Sequence, residues 1–439
     1  MASTSRLATI VSSLGAAGTV AVWIAAPGLD PCGMTPAAGD TNLLVITLDT
    51  VRADHIGAYG YRLARTPHLD RLAREGVMFE QAVTAAPLTL PSHCSLFTGR
   101  FPVHHGVHDN GGPPLGPLQP TLASILRARG YRTGAFVASD IVNATRGLSR
   151  GFETYVGSFP LRPGSVPGPR DLRRPAVEVT DGALRWLDGP SPLPFFAWIH
   201  FYDAHAPYEP PEPYRSQHPG RPYDGAIAFE DSQVGRLIAF LEARGLLDRT
   251  IIVVMGDHGE GLGEHGEWTH ALFAYDSVLR VPLIILVPHA PSRGRRIADV
   301  VRSVDVMPTV LDLLGAGIPP AVDGVSLAGV ISASRAEPRL DAFAENMYPR
   351  LHFRRAEIRV VRSGRFKLIE GSRPELYDIA IDPHELHNLH GNHPGLEARL
   401  EHRLREFAAA TPGAVPAPTL GSPDPDRRAR LAALGYVSR

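Results

Sequence analysis

Cysteine is almost missing from this chain: Cys32 and Cys94 are the only two in 439 residues. Two cysteines cannot build a disulfide framework, and no Cys-x-x-Cys zinc pattern is present. An excess of charge is missing as well, with 44 Lys and Arg against 45 Asp and Glu. That balance, with 44% hydrophobic residues, excludes a disordered acidic chain and a basic nucleic-acid binder. The isolated basic clusters at 293–296 and 350–355 read as solvated surface. Ser326, in Asp323-Gly-Val-Ser-Leu327, lacks the Gly-x-Ser-x-Gly elbow of a serine hydrolase. Histidine, by contrast, is plentiful at 19 residues, and there are 43 glycines and 41 prolines. The Gly and Pro surplus points to many ordered connections of the kind that line enzyme clefts. Any metal is expected to be held by His, Asp and hydroxyl groups.

Residues 1–26 carry one charge, Arg6, ahead of an apolar run. This fits a signal peptide or an uncleaved membrane anchor, followed by a Pro/Gly/Ala linker over 27–40. The expectation is export to the periplasm or cell envelope, with membrane attachment through the N-terminus if the segment is not cleaved. From Asn42, apolar runs at 43–48, 134–138, 195–199, 251–255 and 283–287 alternate with amphipathic helical stretches at 66–75, 120–129, 223–244 and 303–314. Near-continuous apolar runs are what strands buried on both faces require. The fold class expected is therefore α/β, with a large, mainly parallel sheet sandwiched by helices over 41–334. After about 335 the pattern changes to short antiparallel strands at 358–362, 364–369 and 375–378, then a helix near 395–410. These make a small C-terminal sheet and helix over 335–412, with 413–439 read as a Pro-rich tail.

Three of the buried runs end in polar residues that a strand end does not need: Asp49-Thr50, Asp257-His258-Gly259-Glu260 and Asp203-Ala-His205. In open parallel sheets the crevice outside the strand carboxyl ends is where ligands bind. Either Asp49 or Asp257 alone reads best as a helix N-cap. Together, with His258 adjacent, they read as a site for one divalent cation. A fourth piece is Thr89-Leu-Pro-Ser-His-Cys94, where Pro91 suits the first turn of a helix. Thr89 would then sit at the helix N-terminus, where an oxyanion or alkoxide is stabilised, or serve as an ordinary N-cap. Cys94 reads as a buried small hydrophobe.

The segments Asp49-Thr-Val-Arg-Ala-Asp-His-Ile-Gly-Ala-Tyr-Gly60, Thr66-Pro-His-Leu-Asp70, Thr89-Leu-Pro-Ser-His93 and Thr98-Gly-Arg100 together resemble the sulfatase family. Asp203-Ala-His-Ala-Pro-Tyr208, Gly256-Asp-His-Gly-Glu-Gly-Leu-Gly-Glu-His-Gly266 and Gly364-Arg-Phe-Lys-Leu-Ile369 continue the pattern, which spans 42–390 in order. The resemblance implies an alkaline-phosphatase-superfamily fold, a single divalent cation (Ca, Mn, Zn or Mg) and a helix-borne nucleophile. By motif match, Asp49, Asp257 and His258 fall on metal-ligand positions, and Thr89 on the nucleophile position, from which it would also meet the metal. His93 falls on the usual signature Arg, while His205 and His270 fall on substrate-anion and leaving-group positions. Thr50, Arg100 and Glu260 would stand behind them.

The departures from the family pattern direct the chemistry. Sulfatases convert a signature Cys to formylglycine; here that position is Thr89, so no formylglycine is expected. A formylglycine hydrate expels sulfate by collapsing to the aldehyde. A threonine ester cannot, and water must attack phosphorus or sulfur instead. The reading is a hydrolase of an anionic ester (a sulfated or phosphorylated glycan, lipid head group or small molecule), with phosphoryl esters preferred and no nucleic-acid partner. The alternatives are a conventional sulfuric ester hydrolase, an envelope head-group transferase and a non-catalytic binder of anionic glycans. A second metal held by Asp203 and His205 is a further option. If imidazolium groups hold the anion, activity is expected to fall as they deprotonate.

Overall fold

The computed structural model describes residues 41–161, 166–191, 194–409 and 425–436. The expected signal or anchor segment lies outside these residues. Among the described residues, no helix is long and apolar enough to cross a membrane.

Eight strands form the main sheet: β1 Asn42–Leu48, β2 Val77–Val83, β3 Arg132–Val137, β4 Thr154–Val156, β5 Phe195–Phe201, β6 Thr250–Gly256, β7 Arg280–Leu286 and β8 Arg295–Arg302. Their order is β4-β3-β5-β1-β6-β7-β2-β8, and only β7 runs against the others. Every residue of β1, β5 and β6 is buried. The two-residue period of β1 sends Leu43 and Val45 into one core and Leu44, Ile46 and Leu48 into the other. The first core is closed by α2 (Thr89–Thr98), with Leu122–Ala128 and Val306–Leu313; the second by α1 (Pro67–Glu75), Ala176–Leu187 and Pro222–Ala243. Each fully buried Leu, Ile or Val contributes about 1.5–3 kcal/mol from apolar burial, so these two layers fix the central strands firmly.

A second, antiparallel sheet comprises β9 Asp341–Asn346, β10 Ile358–Ser363, β11 Phe366–Glu370 and β12 Glu375–Asp378, packed under the helix Pro394–Ala409. The chain's single lysine, Lys367 on β11, is buried and pairs with Asp276 (2.8 Å) and Glu385 (2.7 Å). Arg362 also reaches Asp276, at 3.0 Å, so the small sheet is locked to the connection between β6 and β7.

The mainly parallel sheet and the small antiparallel sheet are both present as expected. Strands β2, β4, β8 and β9 are additions. One expectation is corrected: the region 413–439 is not simply a tail, since Pro425–Ala433 is helical and its Leu431, Ala433 and Leu434 join the first core.

Candidate active site

β1 lies between β5 and β6, with Leu48 opposite both Phe201 and Gly256. The residues just past these three strand ends are therefore neighbours. Gly256 packs so closely that a Cβ there would lie 2.7 Å from the Val51 carbonyl oxygen. Asp257 is held by two backbone donors on Oδ1, from Thr50 N–H (3.1 Å) and His258 N–H (2.8 Å). Thr50 adopts the left-handed region (φ 59°), unusual for a β-branched residue, and its hydroxyl donates to the Asp49 carbonyl at 2.7 Å. Its contribution is the backbone N–H on Asp257, not a side-chain ligand.

Asp49 is oriented by His200, which sits inside β5. His200 Nδ1 accepts from the Ala138 N–H (3.2 Å), so Nε2–H donates to Asp49 Oδ2 (3.2 Å). His258 donates Nδ1–H to the Gly259 carbonyl at 2.9 Å, leaving Nε2 as an acceptor. Asp49 Oδ1 and Asp257 Oδ2 are buried without a hydrogen-bond partner. Ligand atoms of Asp49, Asp257 and His258 all lie within 4.8 Å of one another, and among the described residues no other such group of three forms. Buried, unpartnered carboxylate oxygens are costly. Burial pushes both carboxyls well above their ordinary range, with the charge of Glu260 adding to Asp49 and that of Asp49 to Asp257. Burial also pushes His258 down to about 4. Two oxygens and one imidazole nitrogen, all facing one point, fit a divalent cation that would reverse both penalties.

Thr89 opens α2, and the Leu90 N–H of that first turn is taken by Asn110 Oδ1 at 2.8 Å. Thr89 Oγ1 lies 3.3 Å from His258 Nε2, beside the cation ligands. His93, one turn along, donates Nδ1–H back to the Thr89 carbonyl (2.7 Å), and its Nε2 accepts from the Thr47 hydroxyl (3.0 Å). His93 Nδ1 also lies 3.5 Å from Asp257 Oδ2, so its ring stands between the start of α2 and one of the cation ligands. Arg100 lies beyond the far end of α2, about 16 Å along the helix axis from Thr89, where it pairs with Gln119 (2.8 Å). Its expected place behind the site is corrected.

His205 and His270 meet Thr89 at a shared neighbour, the Tyr436 hydroxyl. His205 donates Nδ1–H to the Ala206 carbonyl (2.7 Å), so its Nε2 accepts. His270 Nδ1 meets Glu260 Oε1 at 3.0 Å, and its ring lies 4.4 Å from that of His258 and 5.1 Å from that of His205. Burial pushes His205 well down and His270 down to about 3, while Glu260 is pushed well up. Burial thus disfavours imidazolium at both positions, and a bound anion would favour it. Between them stands Tyr436, whose hydroxyl is 3.1 Å from His205 Nε2, 3.4 Å from His270 Nε2 and 3.4 Å from Thr89 Oγ1. Asp203 does not join the group. Its Oδ2 accepts from Ala176 N–H (2.9 Å) at the start of the helix Ala176–Leu187, so the two-metal arrangement is not formed.

Sequence reasoning missed His200, Asn110 and Tyr436. For His200 a signal existed, a polar residue at the end of an otherwise apolar strand. For Tyr436 there was none.

A mainly parallel sheet that delivers two carboxylates and an imidazole beside a helix-borne hydroxyl defines an ester hydrolase of the alkaline-phosphatase type. The sulfatase family model matches residues 41–316, and the model for the C-terminal part of N-sulphoglucosamine sulphohydrolase matches residues 263–410. The chain belongs to the sulfatase family. It is 24% identical to a Δ4,5-hexuronate-2-O-sulfatase from Bacteroides thetaiotaomicron, over 86% of this chain and 90% of that protein. It is 26% identical to a multifunctional alkaline phosphatase superfamily protein from Trinickia caryophylli, over 80% and 91%. The phosphonate monoester hydrolase of Agrobacterium radiobacter shares the fold, with a TM-score of 0.72 and 23% identity over 85% of this chain and 97% of that one. The protein is an ester hydrolase of the sulfatase superfamily.

Proposed function

We propose that the protein hydrolyses an anionic ester through a covalent Thr89 ester, with phosphoryl esters preferred over sulfuryl esters. The observation that carries this is the Thr89 hydroxyl at the N-terminus of α2, 3.3 Å from His258 Nε2. Cys94 offers no alternative nucleophile. It is wholly buried in the apolar core, and burial pushes its thiol up to about 12.

Asp49, Asp257 and His258 would hold the cation. When bound, a divalent ion supplies Lewis-acid charge that acidifies a hydroxyl and offsets charge on the ester oxygens. The chain's residues do the rest. His93 and Asn110 fix the start of α2, so the Thr89 oxygen enters the reaction already placed. The bond from Thr89 Oγ1 to phosphorus or sulfur forms as the bond to the alcohol breaks; Thr89 gives up its proton and the departing oxygen receives one. His270 suits that donation better than His205. Glu260 at Nδ1 holds the His270 ring with Nε2 toward the site, so a protonated His270 can donate there, whereas His205, with Nδ1–H on the Ala206 carbonyl, presents Nε2 as an acceptor. Water then attacks the Thr89 ester, and Thr89 recovers its proton.

The relatives named for sulfated sugars favour the sulfate-ester reading, and a substrate of that kind is the second candidate. Export to the periplasm or cell envelope, directed by residues 1–26 and with membrane attachment if that segment is retained, belongs to the same proposal. A matched panel of aryl sulfate, aryl phosphate and aryl phosphodiester decides the substrate. Phosphoryl turnover that is lost in Thr89→Ala is expected; turnover of the sulfate alone contradicts the preference, and undiminished turnover in Thr89→Ala contradicts the nucleophile.

A further inference from the structure

The segment 425–436 makes contacts that its sequence does not announce. Arg430 reaches Asp140 (2.8 Å) and the Phe159 carbonyl (3.1 Å). Arg427 donates to the carbonyls of Asn110 (3.2 Å) and Gly112. Asn110 is the residue whose side chain caps the first turn of α2, so this latch sits on the framework that places Thr89. Beyond the helix Pro425–Ala433 the chain turns at Gly435 (φ 88°), where a left-handed conformation suits glycine. The turn is closed by Tyr436 N–H on the Leu431 carbonyl at 2.9 Å. Tyr348 then donates its hydroxyl to the Tyr436 carbonyl at 2.5 Å, aiming the Tyr436 ring inward.

The phenol arrives in the middle of the reaction space. Tyr436 O–H donates to His205 Nε2, whose Nδ1–H is spent on the Ala206 carbonyl, and the same oxygen lies 3.4 Å from His270 Nε2. Reacting atoms in a near-attack arrangement lie about 3–3.5 Å apart. The Tyr436 oxygen, 3.4 Å from Thr89 Oγ1, is inside that shell. A tetrahedral phosphoryl or sulfuryl group arriving at Thr89 would compete with the phenol for this volume. Tyr436 cannot be the leaving-group oxygen's stand-in, because an in-line leaving oxygen lies on the far side of the reacting atom from the nucleophile. Next to the ring, a cavity of about 270 Å³ opens between Arg173, His205, Thr269, His270 and Tyr348, walled on one side by residues 433–436. Withdrawal of those residues would join the cavity to Thr89.

We propose that residues 425–436 are an internal occupant of the oxyanion subsite: Tyr436 holds the place of a substrate oxygen, and substrate or an inorganic oxyanion enters only as the segment withdraws. The proposal rests on the reading of Thr89, His205 and His270 as the reaction site. A segment that is seated ten times more often than it is withdrawn weakens apparent oxyanion affinity by about tenfold.

The test uses the full chain loaded with a divalent cation, with inorganic phosphate and sulfate as probes. Calorimetry compares the parent with Arg427→Ala/Arg430→Ala, which loosens the latch away from the reacting groups, and with Tyr436→Phe, which removes only the hydroxyl. Both variants are expected to bind the probe more tightly, the latch variant by about tenfold, with a matching fall in KM. Hydrogen exchange over 425–436 in the parent is expected to rise when the probe saturates. Equal or weaker binding by the latch variant, or unchanged exchange at saturation, overturns the proposal. Turnover surviving in Thr89→Ala would sink the nucleophile assignment while leaving these binding results to stand. Failure of the probe to bind any form contradicts both readings together.

Discussion

Replacing His200 by alanine removes a residue that touches neither Thr89 nor the place where substrate must lie. It nevertheless orients the Asp49 carboxylate through Nε2–H at 3.2 Å and takes up the Ala138 N–H at 3.2 Å. A hydrogen bond to a charged group is worth about 1.5–3 kcal/mol, and a buried donor left unpaired costs about 1–3 kcal/mol. With no exposure at His200 to let water in, His200→Ala should lose on the order of 3–5 kcal/mol in guanidinium denaturation. Losing the group that orients a metal ligand weakens metal affinity by about 10–100-fold. Calorimetric titration of metal-stripped protein with Ca, Mn, Zn and Mg measures that loss, and turnover at saturating metal should fall much less. His200→Gln, which retains a donor and an acceptor, should recover part of both. Metal affinity within about twofold of the parent in His200→Ala, despite lost stability, would refute the orienting role.

Chelation should abolish turnover and lower the melting temperature, and readdition of one divalent cation should restore both; full activity after exhaustive chelation contradicts the metal site. Cys94→Ala should retain turnover within about twofold while losing stability as a small cavity forms, since Cys94 lies in the core. Loss of turnover in that folded variant would return attention to cysteine chemistry. Asp231 accepts from Leu69 N–H (2.8 Å) and His68 N–H (3.2 Å) at the start of α1, and burial pushes its carboxyl up to about 7. The folded state thus binds the extra proton, so this contribution is present below the ordinary carboxylate pKa, is lost as pH rises toward 7, and is flat above. Melting curves from pH 4 to 8 should show that decline in the parent and a smaller one in Asp231→Asn; parallel curves would contradict it.

The central sheet and the metal ligands were legible for one physical reason. Strands buried on both faces must read as unbroken apolar runs, and a carboxylate at the end of such a run stands out, as Asp49 and Asp257 do. The edge strand β8, with Arg295, Arg296, Ala298 and Asp299 on its exposed or half-buried positions, lacks that run and went unread. His93 was placed at the right spot on the chain, but the helix turns its ring back to the Thr89 carbonyl, and motif position does not show that direction. His200 was visible only as a polar residue in a strand; its task depends on β5 lying beside β1. Tyr436 is 347 residues from Thr89 in sequence, so no local pattern links them. The pairing exists because Arg427, Arg430 and Leu431 dock that segment.

The central claim is that Thr89 carries the transferred group. Rapid-quench mass spectrometry during turnover of an aryl phosphate or aryl sulfate addresses it most directly. A phosphoryl or sulfuryl group is expected on the peptide containing Thr89, absent in Thr89→Ala together with turnover. An unmodified Thr89 peptide under turnover conditions, with Thr89→Ala still active, would contradict it.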